Sequence, residues 1–283
     1  MRWRGERESN NVEDHRGMSG GRKMAVGGGI GAVIVLVLGL LTGKDLSGLL
    51  QIVEGNQNTT EVSDGPKQPR PDDSTAQFVS VVLASTEDVW SELYAANGSE
   101  YQKPKLRIFE NSVQSACGGA SSAMGPFYCP ADYKVYIDLA FCNELRTKFK
   151  APGNFAVAYV IAHEVGHHVQ NLMGLSEQMQ RQRGRISEAD YNKLSVKLEL
   201  QADFFAGVWA YHANRKRKLI EPGDLEAALT AANAIGDDKL QKEAQGYIVP
   251  DAFTHGTSQQ RMYWFKKGFE TGDLSQGRYQ DIR

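Results

Sequence analysis

The segment HEVGHHVQ, residues 163–170, sets three imidazoles and one carboxylate inside an otherwise apolar run. Imidazole nitrogens and carboxylate oxygens are the donors that borderline divalent metals accept, and a carboxylate beside such a centre can move a proton. On a helix turning roughly 100° per residue, His163 and His167 share one face a turn apart, so two ring nitrogens can converge on one ion. His168 lies about 140° round the wheel from His163 and is read as a packing or hydrogen-bonding residue. Nearly every other position of FAVAYVIAHEVGHHVQNLMG is apolar, so the helix should be buried almost all round. Buried polar groups must be paired or bound to metal. A satisfied core histidine would explain one of these residues, not two in register with Glu164 between them.

Two histidines need a third ligand. A metzincin would continue with glycine and histidine where this chain has Gln170 and Met173, which excludes that class. The other known solution is a carboxylate on a later helix, giving His₂Glu zinc with an open fourth position. LELQADFFAGVWAY, 198–211, provides it: Glu199, Gln201 and Asp203 are the polar residues at its centre, and Glu199 and Asp203 share a face. A buried carboxylate pair would repel unless a cation lies beside it. Zinc on His163, His167 and Glu199, with Asp203 accepting the other ring N–H of His163, removes that conflict. Helix-to-helix salt bridges are the alternative reading of the acidic pair.

The elements that must carry these groups read as α+β, mostly helical, with a small sheet in the first half. KLRIFE (105–110) and KVYIDLA (134–140) alternate like strands, and FYC (127–129) suits the other arm of a hairpin. Helices are expected over 77–96, from about residue 151 to Gly174, and from Ser187 to about Asn214. Another should follow Pro222, and a last one Thr257; Ser187 and Thr257 sit as N-caps.

The chain of 283 residues is 41% hydrophobic and 23% charged, as soluble globular proteins are. A net charge of −2 gives no global reason to expect nucleic acid. The basic run NRKRK, 214–218, suits a helix C-terminus. Residues 25–43 carry no charge and just reach the length of a spanning helix. Six basic residues precede them, which favours a cytoplasmic N-terminus and an uncleaved anchor over a signal peptide. The expected organisation is therefore a basic tail (1–24), an anchor (25–43), a polar proline-containing linker (44–76) and a globular domain (77–283). Asn58 heads an N-x-T glycosylation pattern within that linker. Cys117, Cys129 and Cys142 lack zinc-knuckle spacing. They read as buried apolar side chains, with a Cys117–Cys129 disulfide open to them in an oxidising compartment.

At this point the residues gain a resemblance. HEVGH followed by E-x-x-x-D looks like the gluzincin layout. The wider chain resembles a bacterial family of neutral zinc metallopeptidases, through MRWRGERESNNVEDHRG, ACGGASSAMGPFYCPADYKVYIDL, FAVAYVIAHEVGHHVQNLMG, ELQADFFAGVWA and HGTSQQRMYWFKKG. It implies a zincin-like domain behind one transmembrane helix, one Zn²⁺ per chain and a polypeptide substrate. It also favours the Cys117–Cys129 bridge, with Cys142 left as an unpaired buried thiol. The expectation that follows is a single-pass membrane peptidase, N-terminus cytoplasmic and catalytic domain extracytoplasmic, with Glu164 as general base. His255 is a candidate oxyanion donor or a plain loop histidine; Arg261 is a second candidate, with a surface or capping role as its other reading. A zinc-stabilised scaffold without turnover and a cell-wall peptide amidase are the competing functions. Glu164 speaks against the scaffold, because a structural zinc site needs no base.

Overall fold

Alternating side chains in KLRIF and KVYID bury Leu106, Ile108, Val135 and Ile137 completely, and this fixes the register of the central strand pair. The computed structural model describes residues 1–17, 72–151 and 153–282. Its elements in chain order are β1 (Val12–Asp14), α1 (Ser74–Ala96), β2 (Lys105–Phe109), β3 (Ser112–Ser115), β4 (Gly118–Ser121), β5 (Phe127–Cys129), β6 (Lys134–Asp138), α2 (Ala140–Thr147), α3 (Asn154–Leu172), α4 (Leu175–Gln182), α5 (Glu188–Arg217), α6 (Asp224–Ala234), α7 (Asp237–Gln245) and α8 (Ser258–Thr271). The main sheet has the order β1-β2-β6-β5; its first three strands are parallel, and β5 closes a hairpin antiparallel to β6. β3 and β4 form a separate hairpin.

The capping residues act as their types require. Asp73 accepts from the N–H groups of Thr75 and Ala76 at the head of α1, three residues before the expected start. Ser187 accepts from Asp190 N–H on α5, and Thr257 with Gln260 forms a capping box on α8. Gly174 takes φ 78°, a left-handed conformation that suits glycine, and separates α3 from α4. α5 runs on to Arg217, where the basic run does sit at a helix C-terminus.

Helix packing brings the chemistry together. A Cβ on Gly166 of α3 would lie 3.0 Å from the Ala202 carbonyl oxygen of α5, so these helices approach backbone to backbone. Gly207 of α5 and Gly268 of α8 allow a still closer approach: a Cβ on Gly207 would meet the Phe265 carbonyl oxygen at 2.1 Å. Around these crossings Phe155, Tyr159, Phe204, Trp209 and Phe265 are fully buried. Each fully buried large apolar side chain contributes about 1.5–3 kcal/mol.

The amino-terminal segment belongs to this fold. Among the described residues, 1–16 and those from 72 onward belong to one compact unit. β1 pairs in parallel with β2, Val12 opposite Leu106. Arg7 binds the Ala84 carbonyl and the carboxylates of Glu87 and Asp88. Ser9 and Asn11 both donate to Glu87, and Arg16 joins Asp14 to Asp73. The apolar stretch 25–43, the linker up to residue 71 and Asn58 lie outside the described residues. Among the described residues no helix is long and apolar enough to cross a membrane.

Candidate active site

His163, Glu164 and His167 stand on α3 where it crosses α5, which carries Glu199 and Asp203 one turn apart. One donor atom each from His163, His167 and Glu199 fits within 4.8 Å. The two Glu199 carboxylate oxygens reach one imidazole apiece: His163 Nε2 at 3.2 Å and His167 Nε2 at 3.4 Å. Sequence reasoning had grouped these three residues, and the fold brings them together.

Behind His163 lies a charged cluster. Its Nδ1 is 2.8 Å from Asp203 Oδ1. Arg261 of α8 donates from Nε to Asp203 Oδ2 (2.8 Å) and from Nη2 to Oδ1 (3.0 Å), a bidentate pair. Tyr159 adds a hydroxyl donor to the same Oδ1 at 2.5 Å. Burial pushes the Asp203 carboxyl up, but Arg261 and His163 outweigh it and hold it at about 2. Arg261 is only 2% exposed, so its surface or capping reading is corrected: the charge faces inward because Asp203 receives it.

The hydrogen-bond roles of the two rings call for a cation at this point. Asp203, ionised and engaged by Arg261, can only accept, so His163 presents Nδ1–H to it. His167 Nδ1 lies 2.9 Å from Gln170 Oε1, also an acceptor. In both neutral rings the bare lone pair is therefore on Nε2, aimed at an anionic carboxylate. Acceptor facing acceptor demands a cation between them, a proton or a metal ion. Burial lowers the His163 pKa, but Asp203 and Glu199 raise it to about 9. His167 is likewise raised: burial lowers it, and Glu199 prevails. Two Nε2 atoms and a carboxylate are a donor set for zinc, and they leave a coordination position free.

These groups open on a cavity of about 650 Å³. Glu164 lines it beside both histidines, and burial pushes its carboxyl above the ordinary value. His255 lines it from the loop before α8. The first residue of α7, Asp237, holds that loop: Oδ2 accepts the backbone N–H groups of Thr254, His255 and Gly256, while Oδ1 lies 3.1 Å from His255 Nδ1. This pairing raises the His255 pKa despite opposing burial. On the far wall runs β5, the outer strand of the sheet. A Cys117–Cys129 disulfide ties β5 to the turn between β3 and β4, as the resemblance implied. Cys142 is free, half-buried, and pushed up to about 12 by burial.

His168 takes no part in the cluster. It is fully buried, with its ring nitrogens against the Tyr128 hydroxyl and the Gln102 carbonyl, and burial lowers its pKa to about 4. Tyr159, Gln170 and Asp237 are the site residues that sequence reasoning missed. Only Asp237 gave a usable signal, as an acidic residue just after a glycine at a helix start.

A helical α+β fold carrying HExxH on one buried helix, α3, with a glutamate from α5 closing a His/His/Glu cluster, defines a candidate metallohydrolase centre. The chain belongs to the putative neutral zinc metallopeptidase family, whose model matches residues 1–278. It is 49% identical over 286 residues to an uncharacterized Escherichia coli (strain K12) protein, YpfJ, covering 98% of this chain and 97% of that protein. It is 42% identical over 200 residues to an uncharacterized Mycobacterium tuberculosis (strain H37Rv) protein, Rv2575, covering 67% of this chain and 65% of that protein. No solved structure matches the chain.

Proposed function

We propose that this chain is a zinc-dependent endopeptidase, its metal held by His163, His167 and Glu199. The observation that carries the reading is the convergence of two imidazole lone pairs on one half-buried carboxylate beside the Glu164 carboxyl. Zinc bound there supplies a Lewis acid that polarises a carbonyl and lowers the pKa of a water. Glu164 takes a proton from the attacking water and returns it to the amide nitrogen as the C–N bond breaks, so the carboxylate ends as it began. His255, oriented by Asp237, donates an N–H to the carbonyl oxygen as negative charge develops. An extended substrate fits the outer edge of β5 by strand addition, which suits cleavage within a polypeptide.

Glu164→Gln keeps the shape and the ligands but removes the base. It should abolish cleavage of an unfolded protein substrate while bound zinc per chain stays unchanged. Undiminished cleavage would refute the assignment of Glu164.

The reading includes anchoring at a membrane through residues 25–43, with the domain outside the cytoplasm. The Cys117–Cys129 bridge supports that compartment, since disulfides persist where conditions are oxidising. A single crossing would put residues 1–24 and the domain on opposite faces of the bilayer, whereas β1 and β2 share hydrogen bonds in one sheet. We read this pairing as support for an amino-terminal arm on the same side as the domain. Glu8→Cys, at an exposed position in a Cys142→Ser background, should react in intact spheroplasts with a membrane-impermeant maleimide. Labelling only after lysis, with a carboxy-terminal reporter still active outside, would overturn that assignment.

A further inference from the structure

His163 has a charged partner behind it, whereas among the described residues the support behind His167 is neutral. Gln170 Nε2 donates to the Leu198 carbonyl at 2.7 Å and to Gln201 Oε1 at 3.1 Å. A backbone carbonyl can only accept, so the nitrogen of the Gln170 amide is fixed on that side and its oxygen faces His167 Nδ1. Gln201 in turn donates from Nε2 to the Gly277 carbonyl at 2.9 Å, which fixes its orientation in the same way. Both amides are 1% exposed. Gly277 closes the short helical turn Leu274–Gly277, and a Cβ there would lie 2.1 Å from the Phe204 ring, so its carbonyl is seated against the helix that bears Gln201.

We infer that Gln170 and Gln201 are positioning residues of the metal centre, and that the turn Leu274–Gly277 anchors the chain of amides that aims His167. The inference rests on the zinc reading above. Each link has one hydrogen-bond polarity, and the last is a backbone carbonyl near the carboxy-terminal end. The chain leaves His167 one tautomer, with the proton on Nδ1 and the lone pair on Nε2. A ring free to exchange tautomers, or to rotate, spends part of its time unable to bind. Outer partners of this kind typically contribute about ten- to a hundred-fold in metal affinity.

The test is zinc affinity measured by chelator competition, alongside melting of the zinc-free chain. Gln170→Met keeps the volume and loses every hydrogen bond; it should weaken zinc binding about ten- to a hundred-fold. Gln201→Met, one link further out, should weaken it less. Gln170→Glu keeps an acceptor for His167 while giving up the donor toward Leu198, and should recover most of the affinity. A purely structural role predicts instead that zinc affinity simply follows melting across the three variants, without selective rescue by Glu. Wild-type affinity in folded Gln170→Met, or equal loss in Gln170→Glu, overturns the inference. Should Gln170→Met fail to fold, ¹⁵N ring shifts of the zinc-loaded wild type decide. His167 metal-bound through Nε2 and protonated at Nδ1 supports the inference, and ligation through Nδ1 overturns it. A wild-type chain that binds no zinc defeats the functional reading itself, a result distinct from any of these.

Discussion

Two imidazoles one helical turn apart are held from behind by opposite chemistries. His163 leans on an ionised aspartate clamped by Arg261 and Tyr159, His167 on two neutral amides in series. The charged support raises the basicity of its ring and keeps a negative charge next to the metal position; the amide support fixes direction without adding charge. A centre with two carboxylate-backed histidines and Glu199 would bury a further anion, at a cost of several kcal/mol per unpaired ion. One charged and one neutral support limit that cost while orienting both ligands. The ligands alone therefore do not describe the site: α8 and the carboxy-terminal turn are part of it.

The comparison breaks if the two supports prove energetically alike. In the zinc-stripped chain, Asp203→Ala leaves the Arg261 charge buried without its partner and should cost about 3–5 kcal/mol in urea unfolding. Gln201→Met leaves the Gly277 carbonyl and one amide donor unmatched and should cost about 1–3 kcal/mol. Equal costs would remove the distinction between charged and neutral support.

How much of this was legible in the sequence follows from what kind of signal each part left. Helical spacing placed His163 and His167, and an apolar wheel made Glu199 and Asp203 conspicuous on α5. Capping chemistry gave the starts of α5 and α8, and alternation gave β2 and the β5–β6 hairpin. Arg261 kept two readings, oxyanion donor or surface or capping residue, because a lone cation in SQQRMYWF looks the same whether it faces solvent or a buried aspartate; only the glycine-mediated crossing of α5 and α8 decides. β1 escaped because three residues carry too little periodicity and its partner strand lies about ninety positions on. Gln201 showed only as a polar residue on an apolar helix and Gln170 only as the residue standing where a metzincin has glycine, since amides take meaning from the groups they face.

Charge at the sheet edge contributes less, because solvent weakens there what burial strengthens around Asp203. Glu13 on β1 pairs with Lys105 and Lys134, each at 2.8 Å. Burial raises its carboxyl, yet the two lysines bring it to about 2, below its ordinary 4.5. The unfolded chain therefore binds the proton first. Stabilisation by Glu13 is complete above about pH 4.5 and is lost as pH falls through about 2. Urea midpoints across that window should fall less steeply for Glu13→Gln than for the wild type. Parallel curves would show that Glu13 does not contribute.

The most direct measurement is zinc per chain in the purified wild type and in Glu199→Ala. Joint coordination by two histidines of α3 and one glutamate of α5 predicts a single zinc in the wild type and a marked loss in the variant. A folded wild type that takes up no zinc, or a variant that keeps its full complement, would contradict the account.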